Sequence, residues 1–417
     1  MTDISQIPES PDEVPEEDLQ SIYGGVELEQ NVAAGFDVQR NFRPWHHPVK
    51  QVVRVHQWAA LTEKLISLGS ARGGVLRYFT LPGPDLLDVR VLSDVCTPRG
   101  IKIEYFGFDS SGDVVEEGEQ VRAPRSSTVE SALLQAEKIT ADAVILPDRL
   151  EDIAVQNSHA SEQLRQQAPF DVINIDLCDH LAYRSRGRAQ SSFDALGALL
   201  SHQMDARAPW LLFITTRISP ALLGEPGLMF QQCIASNLQV ARESFGHALA
   251  EAIEADLVVV ASAVANTWSN HDSKFLKLYA IGLGKYLLQF FHGQPNHPAK
   301  VELASAYAYR VHADEPDMLS LAFRITPDQR RTFGPIVGGA AIIPDLEPER
   351  ATQVAQRVQK LVDLDEALRN ESKLLAEAVT GTESLLRSAN YDVAAWKQWL
   401  QTLKRRPITL DATMPAA

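Results

Sequence analysis

Basic residues are missing from the first 39 positions. No Lys or Arg occurs before Arg40, whereas Asp3, Glu9, Asp12, Glu13, Glu16, Glu17, Asp18, Glu27, Glu29 and Asp37 are acidic. Ten of the fifteen net negative charges therefore sit in this leader, and the nearly neutral remainder leaves room for a locally basic surface. An acidic, proline-containing stretch with few large apolar residues cannot bury enough surface to offset its ordering entropy, so disorder is expected there. Cysteine is scarce: Cys96, Cys178 and Cys233 lie far apart without CxxC spacing. That excludes a disulfide framework and a structural zinc site, and reduced thiols are expected. There is no run of about 18 apolar residues and no basic-then-apolar leader, so neither a membrane span nor a secretory signal is expected. A cytoplasmic location follows as an expectation.

Catalytic signatures are also missing. No GxGxxG follows the first strand candidate, which counts against a nicotinamide oxidoreductase, and no GxSxG marks a hydrolase nucleophile turn. The glycines of "GPIVGGAAIIP", residues 334–344, lack the lysine of a phosphate loop and read as a loop or short strand. What remains is the composition of a globular protein, 45% hydrophobic and 22% charged over 417 residues, enough for one large core or two ordinary ones.

After the leader, "RNFRPWHHPVKQVVRVHQWAALTEKLISLG" alternates Arg40, Arg43, Lys50 and Arg54 with Phe42, Trp45 and Trp58. Pro48 suits a first helical position, and Val49, Val53, Trp58, Leu61, Leu65 and Leu68 recur at helical spacing, predicting an amphipathic helix over 48–68 that docks on the next domain. His46, His47 and His56 have no acidic or cysteine partner at ligand spacing, so no metal site is expected. Lys50 and Arg54 share a helical face; a solvated face is the plainer reading, and phosphate contact, with Trp45 against a base, the functional one.

From residue 75 apolar runs of strand length alternate with helical stretches. Strands are predicted at 75–81, 102–109, 142–147, 170–178 and 210–216, which indicates a parallel sheet covered on both faces. A long helical region follows, then strands at 300–311 and 318–326 joined by "HADEPD", too short for anything but an antiparallel hairpin. Residues 346–406 are predicted helical, with "VTGTES" breaking the run and Thr382 as a possible cap.

This order of elements resembles a class I S-adenosylmethionine-dependent methyltransferase: a Rossmann-like, doubly wound sheet, mostly parallel, whose last two strands form a hairpin with the seventh inserted antiparallel. The resemblance covers element order from residue 48 to residue 326 and not diagnostic motifs. The chain then divides into an acidic leader (1–39), a basic and aromatic helix (40–70), a Rossmann-like domain (71–330) and a helical C-terminal region (331–417).

Ligands of open α/β sheets bind beyond the carboxyl ends of the strands, so the candidate site can be read off in order. Thr80, Gly83 and Asp85 follow the first strand, with Asp88 one turn on. Asp109 closes the second, where a carboxylate accepts hydrogen bonds from a ribose diol; its plain alternative is a cap within "DSSG". Asp148 follows the third, where the resemblance implies the adenine edge and the plain reading is a turn and helix start. Asp176, Asp179 and His180 follow the fourth, at the place of acceptor-facing groups able to take a proton. Arg184, Arg186 and Arg188 form a basic loop beside that mouth, with Tyr183 as a stacking platform: solvated charge, or contact with nucleic acid.

Two departures from the family pattern matter. Thr80 stands where the resemblance implies an acid, and Gly83 lies between Pro82 and Pro84, which remove two backbone donors from the turn. "DLCD" carries neither the Asn-Pro-Pro-aromatic nor the Pro-Cys signature of DNA methyltransferases, and Cys178 is expected to be buried rather than nucleophilic. Two functions stay open: a divergent methyltransferase using S-adenosylmethionine, with nucleic acid among the possible acceptors, and an inactive methyltransferase-like scaffold or adaptor that engages a protein partner through its C-terminal helices. Bacterial defence and nucleic-acid modification complexes enter only by analogy.

Overall fold

The computed structural model describes residues 38–109, 125–185, 187–294, 297–328 and 346–403. The acidic stretch before Val38, the "GPIVGGAAIIP" segment and Arg186 lie outside the described residues. By compactness the chain separates into Met1–Gln39 and Arg40–Ala417, and the sheet and its helices belong to the second unit. The segments expected to form a leading helix, an α/β domain and a helical tail are all parts of this one unit.

In chain order the first elements are α1 (Pro48–Val52), a π-helical segment (Val53–Ala59), α2 (Ala60–Ser67), β1 (Val75–Thr80), α3 (Leu87–Cys96) and β2 (Lys102–Phe108). Next come α4 (Arg125–Gln135), β3 (Val144–Leu146), α5 (His159–Gln166), β4 (Val172–Asp176), α6 (Ser192–His202) and β5 (Trp210–Arg217). The helices α7 (Gly224–Val240), α8 (Ser244–Ala252), α9 (Val260–Thr267) and α10 (Ser273–His292) lead to β6 (Ala299–Tyr309) and β7 (Met318–Pro327). The tail comprises α11 (Glu347–Val358), a two-residue β8 (Val362–Asp363), α12 (Leu364–Asn370), α13 (Ser372–Ser388) and α14 (Val393–Thr402).

The eight strands form one mixed sheet in the order β3-β2-β1-β4-β5-β7-β6-β8. Strands β1 to β5 pair in parallel, whereas β7 runs antiparallel to both β5 and β6. All seven predicted strands are present with ends shifted by a few residues; β5 is buried on both faces, whereas β6 alternates buried and half-buried positions. The alternation is visible in β5. Leu212 and Ile214 enter the core built with α6, α7, α10 and α11, while Leu211 and Phe213 enter the opposite core under α1, the π segment, α3 and α13. No helix among the described residues is long and apolar enough to cross a membrane.

Two expectations change. Lys50 and Arg54 do not lie on a solvated face: each is 4% exposed. Their charged heads turn inward, Lys50 to Asp176 and Tyr309 and Arg54 to Trp45 O, while α12 and α13 pack elsewhere on α1. Nor does "VTGTES" break a helix; α13 runs through it, and the Thr382 hydroxyl donates to Ala378 O at 2.7 Å rather than capping. Gly381 serves close approach, because a Cβ there would stand 3.3 Å from Gln51 Cγ on α1.

The leading helix is itself interrupted. An unbroken α-helix turns about 100° per residue, which would carry Trp58 about 80° round from Lys50. The wider π winding turns less per residue and brings both side chains to one line, with Lys50 Nζ 4.7 Å from the Trp58 ring centroid. Gln57 in the same segment donates from Nε2 to Ser305 Oγ and Ser320 O and accepts from Ser320 Oγ, fixing the π turn to the hairpin.

Candidate functional site

The strand order changes direction between β1 and β4, and the crevice beyond their carboxyl ends is a cavity of about 690 Å³. One wall is made of strand ends: Gly83 and Asp85 after β1, Asp109 after β2, Asp148 after β3, and Asp176, Cys178 and Asp179 after β4. The opposite wall is the N-terminal segment, through Arg43, Trp45, Lys50, Arg54 and Trp58, together with Tyr309 and Met318 of the hairpin. Most of the acids anticipated from strand ends are thus gathered around one hollow.

The turn after β1 is built from short-range forces. Leu86 N donates to Gly83 O at 3.0 Å, and Leu86 itself adopts a left-handed backbone (φ 50°) before α3 begins. A non-glycine residue held there is strained, and its fully buried side chain keeps it in place. Gly83 has open space beside it: a Cβ would meet no atom within 4 Å. Asp85 is nearly buried and accepts at Oδ2 from the Tyr391 hydroxyl at 2.5 Å, so the tail anchors the turn. Thr80 does not line the cavity. Its hydroxyl and that of Tyr78 both donate to Asp88 Oδ2, at 2.5 and 2.7 Å, and Asn174 Nδ2 donates to the Tyr78 hydroxyl oxygen at 2.9 Å. Burial, then the Asp88 charge, pushes the Tyr78 phenol well above its ordinary range, so it stays a donor.

Asp109 is half-buried at the cavity wall, and its backbone N–H donates to Leu146 O, which carries the β2–β3 ladder one step further. Asp148 lies 2.8 Å from His159 Nδ1 through Oδ2. At the end of β4, Asp176 Oδ1 accepts from Lys50 Nζ at 2.5 Å, and that ammonium also reaches Tyr309 OH at 3.4 Å. Desolvation lowers the Lys50 pKa, and the Asp176 charge opposes that shift without cancelling it. Arg54, one turn on, donates from Nη2 to Trp45 O at 2.9 Å. Burial lowers its pKa too, with Asp176 and Asp88 supporting the charge.

The remaining candidates are placed less centrally. Asp179 Oδ1 accepts from the His180 backbone N–H at 2.9 Å, but the His180 side chain is absent from the cavity wall. Burial lowers the His180 pKa, Asp179 opposing. Arg184 pairs with Glu225 at 3.2 Å and Arg188 pairs with Asp152; neither lines the cavity, although Tyr183 between the strand and these arginines does. Cys178 is exposed, contrary to the expectation of burial. Its thiol is nonetheless raised above the ordinary value by local desolvation and by Asp176, so it is not poised as a nucleophile.

Sequence reasoning did not place Arg149, Tyr309 or Met318 at the cavity. Arg149 sits in "LPDRLEDI", the same strand-end turn that carries Asp148, and Tyr309 ends β6; the position just past a strand end was the usable signal for both. No local signal marks the Lys50–Asp176 pair, whose members are 126 positions apart. One protein family, described as PP_RS20740-like, matches residues 39–401, and the chain belongs to that family. No curated protein and no solved structure matches it.

Proposed function

We propose that the chain is a divergent S-adenosylmethionine-dependent methyltransferase built on a Rossmann-like sheet. The strand order, with β7 inserted antiparallel beside β5, supports this reading, as it is the order implied by the resemblance to class I methyltransferases. The observation that carries it is the convergence of Asp109, Asp148 and Asp176, from three different strand ends, on one cavity that also touches Gly83. The open space beside Gly83 and the unpartnered nitrogens of buried Arg54 fit a polar ligand in that cavity.

Asp109 would hold the ribose diol and Asp148, oriented through His159, the adenine side. Bound there, S-adenosylmethionine supplies an electrophilic methyl group. Asp176 and Lys50 form the proton-handling pair: an acceptor hydroxyl or amine beside them meets a carboxylate that can take its proton while the ammonium limits the build-up of negative charge. Asp179, half in solvent, is a second proton acceptor at the rim. Calorimetric titration tests the reading. S-adenosylmethionine should bind the full chain, and Asp109→Ala should weaken it roughly 100-fold by removing charge-assisted hydrogen bonds. Absence of heat and of any thermal shift at millimolar concentration would sink it.

A second reading, an inactive scaffold, is favoured by one observation: Pro82 and Pro84 strip donors from the turn while Asp85 is tied to Tyr391. Nucleic acid as acceptor or partner draws on Arg184 and Arg188, where phosphate would compete with Glu225 and Asp152 for the two guanidiniums. Affinity for a short DNA or RNA that falls steeply with salt would support it.

A further inference from the structure

Arg54 is the cation of this cavity whose hydrogen-bonding capacity exceeds its partners. It is 4% exposed and lines the hollow, yet only Nη2 is bonded, to Trp45 O, while Nε and Nη1 are buried without any acceptor. Among the described residues no carboxylate stands within ion-pair distance of it. The two acids whose charges bear most on it are committed: Asp176 to Lys50, and Asp88 to the hydroxyls of Tyr78 and Thr80. A buried guanidinium with unsatisfied N–H groups is costly unless an anion completes it. The π segment that carries Arg54 packs directly on α3, the helix launched by the Pro82-Gly83-Pro84 turn. The turn therefore lacks backbone donors on the side where an adjacent helix presents unused ones.

We infer that Arg54 is the receptor for the carboxylate of an amino-acid-bearing nucleoside in this cavity, supplying from the leading helix the donors that Pro82 and Pro84 withdraw from the turn after β1. The inference rests on the methyltransferase reading and specifies which end of the ligand the N-terminal wall recognises. Arg54 meets the carboxylate with its guanidinium, held in orientation by its bond to Trp45 O and by the π winding.

The test is titration calorimetry on the full chain with S-adenosylmethionine, decarboxylated S-adenosylmethionine and 5′-methylthioadenosine, each against the wild type, Arg54→Gln and Arg54→Lys, with thermal melting as the check of folding. The wild type should prefer S-adenosylmethionine over its decarboxylated form by roughly 10- to 100-fold, the worth of hydrogen bonds to a charged group. Arg54→Gln should abolish that preference and leave 5′-methylthioadenosine affinity within about threefold. Arg54→Lys, which keeps the charge without the planar fork, should retain part of the preference and is read in place of Arg54→Gln if that variant unfolds. Equal binding of the carboxylated and decarboxylated ligands by the wild type, or a preference that survives in either variant undiminished, overturns the role of Arg54 while the nucleoside reading stands. Failure of all three ligands to bind the wild type overturns the nucleoside reading, and this inference with it.

Discussion

Two groups of basic residues flank the same crevice and have opposite fates. Lys50 and Arg54, on the leading helix, are buried; the first is matched by Asp176 and the second has donors to spare. Arg184 and Arg188, on the loop after β4, are substantially exposed, and each has its own carboxylate. In water a guanidinium gains little from a partner, whereas in the interior the same group is costly without one. Arg184 and Arg188, clustered in sequence, are each already paired, whereas the buried Arg54 keeps nitrogens without a partner. The loop is more cationic on paper, but the helix offers the unsatisfied binding capacity.

The comparison can be broken hardest at Asp176. Replacing it by Ala leaves the Lys50 ammonium buried and unpaired, and urea denaturation should show a loss of about 3 kcal/mol, while Lys50→Met combined with Asp176→Leu should lose less than the single Asp176→Ala change. An Asp176→Ala variant as stable as wild type would mean that the pair contributes nothing at the helix wall.

A pH series sharpens the same contrast. Burial holds the folded Lys50 pKa below its unfolded value of about 10.5, so between the two values the unfolded chain binds more protons. Stability contributed by this group therefore rises with pH across that window: the burial penalty is complete below the folded pKa and is relieved as pH approaches 10.5. The difference in stability between wild type and Lys50→Met should shift in favour of wild type as pH is raised in the alkaline range. A difference that stays flat would contradict it. The smallest effect belongs to the loop, where Arg184→Ala should change stability by less than about 0.5 kcal/mol in the same denaturation assay, as expected of an exposed pair.

Much of the fold was legible because strand and hairpin signals are local. Apolar runs placed β1 to β7, and the six residues of "HADEPD" dictated the antiparallel hairpin. The acids of the site were legible for the related reason that strand ends in such sheets converge, which brings Asp109, Asp148 and Asp176 together without any motif. What could not be read depends on contacts distant in sequence. Thr80 turns to Asp88, inside the protein, because Asp88 sits on the first turn of α3 and is already bound to Tyr78. Helical periodicity assumes a uniform winding, so the π segment that aligns Trp58 with Lys50 was invisible to it. Burial of Arg54 required knowing that its segment would pack on α3 and β7 and that its guanidinium would turn to Trp45 O. Cys178 was misjudged because a residue next to a buried strand need not be enclosed itself.

The C-terminal tail binds together parts of the molecule that are distant in sequence. Trp396 Nε1 donates to His46 O, Tyr391 donates to Asp85, and Arg90 donates to Ser388 O, so α13, α14 and the turn between them clasp the segment before α1, the turn after β1 and α3. Loosening α13 and α14 would therefore free the segment before α1 and the turn after β1 at once, although the two lie about forty residues apart in sequence.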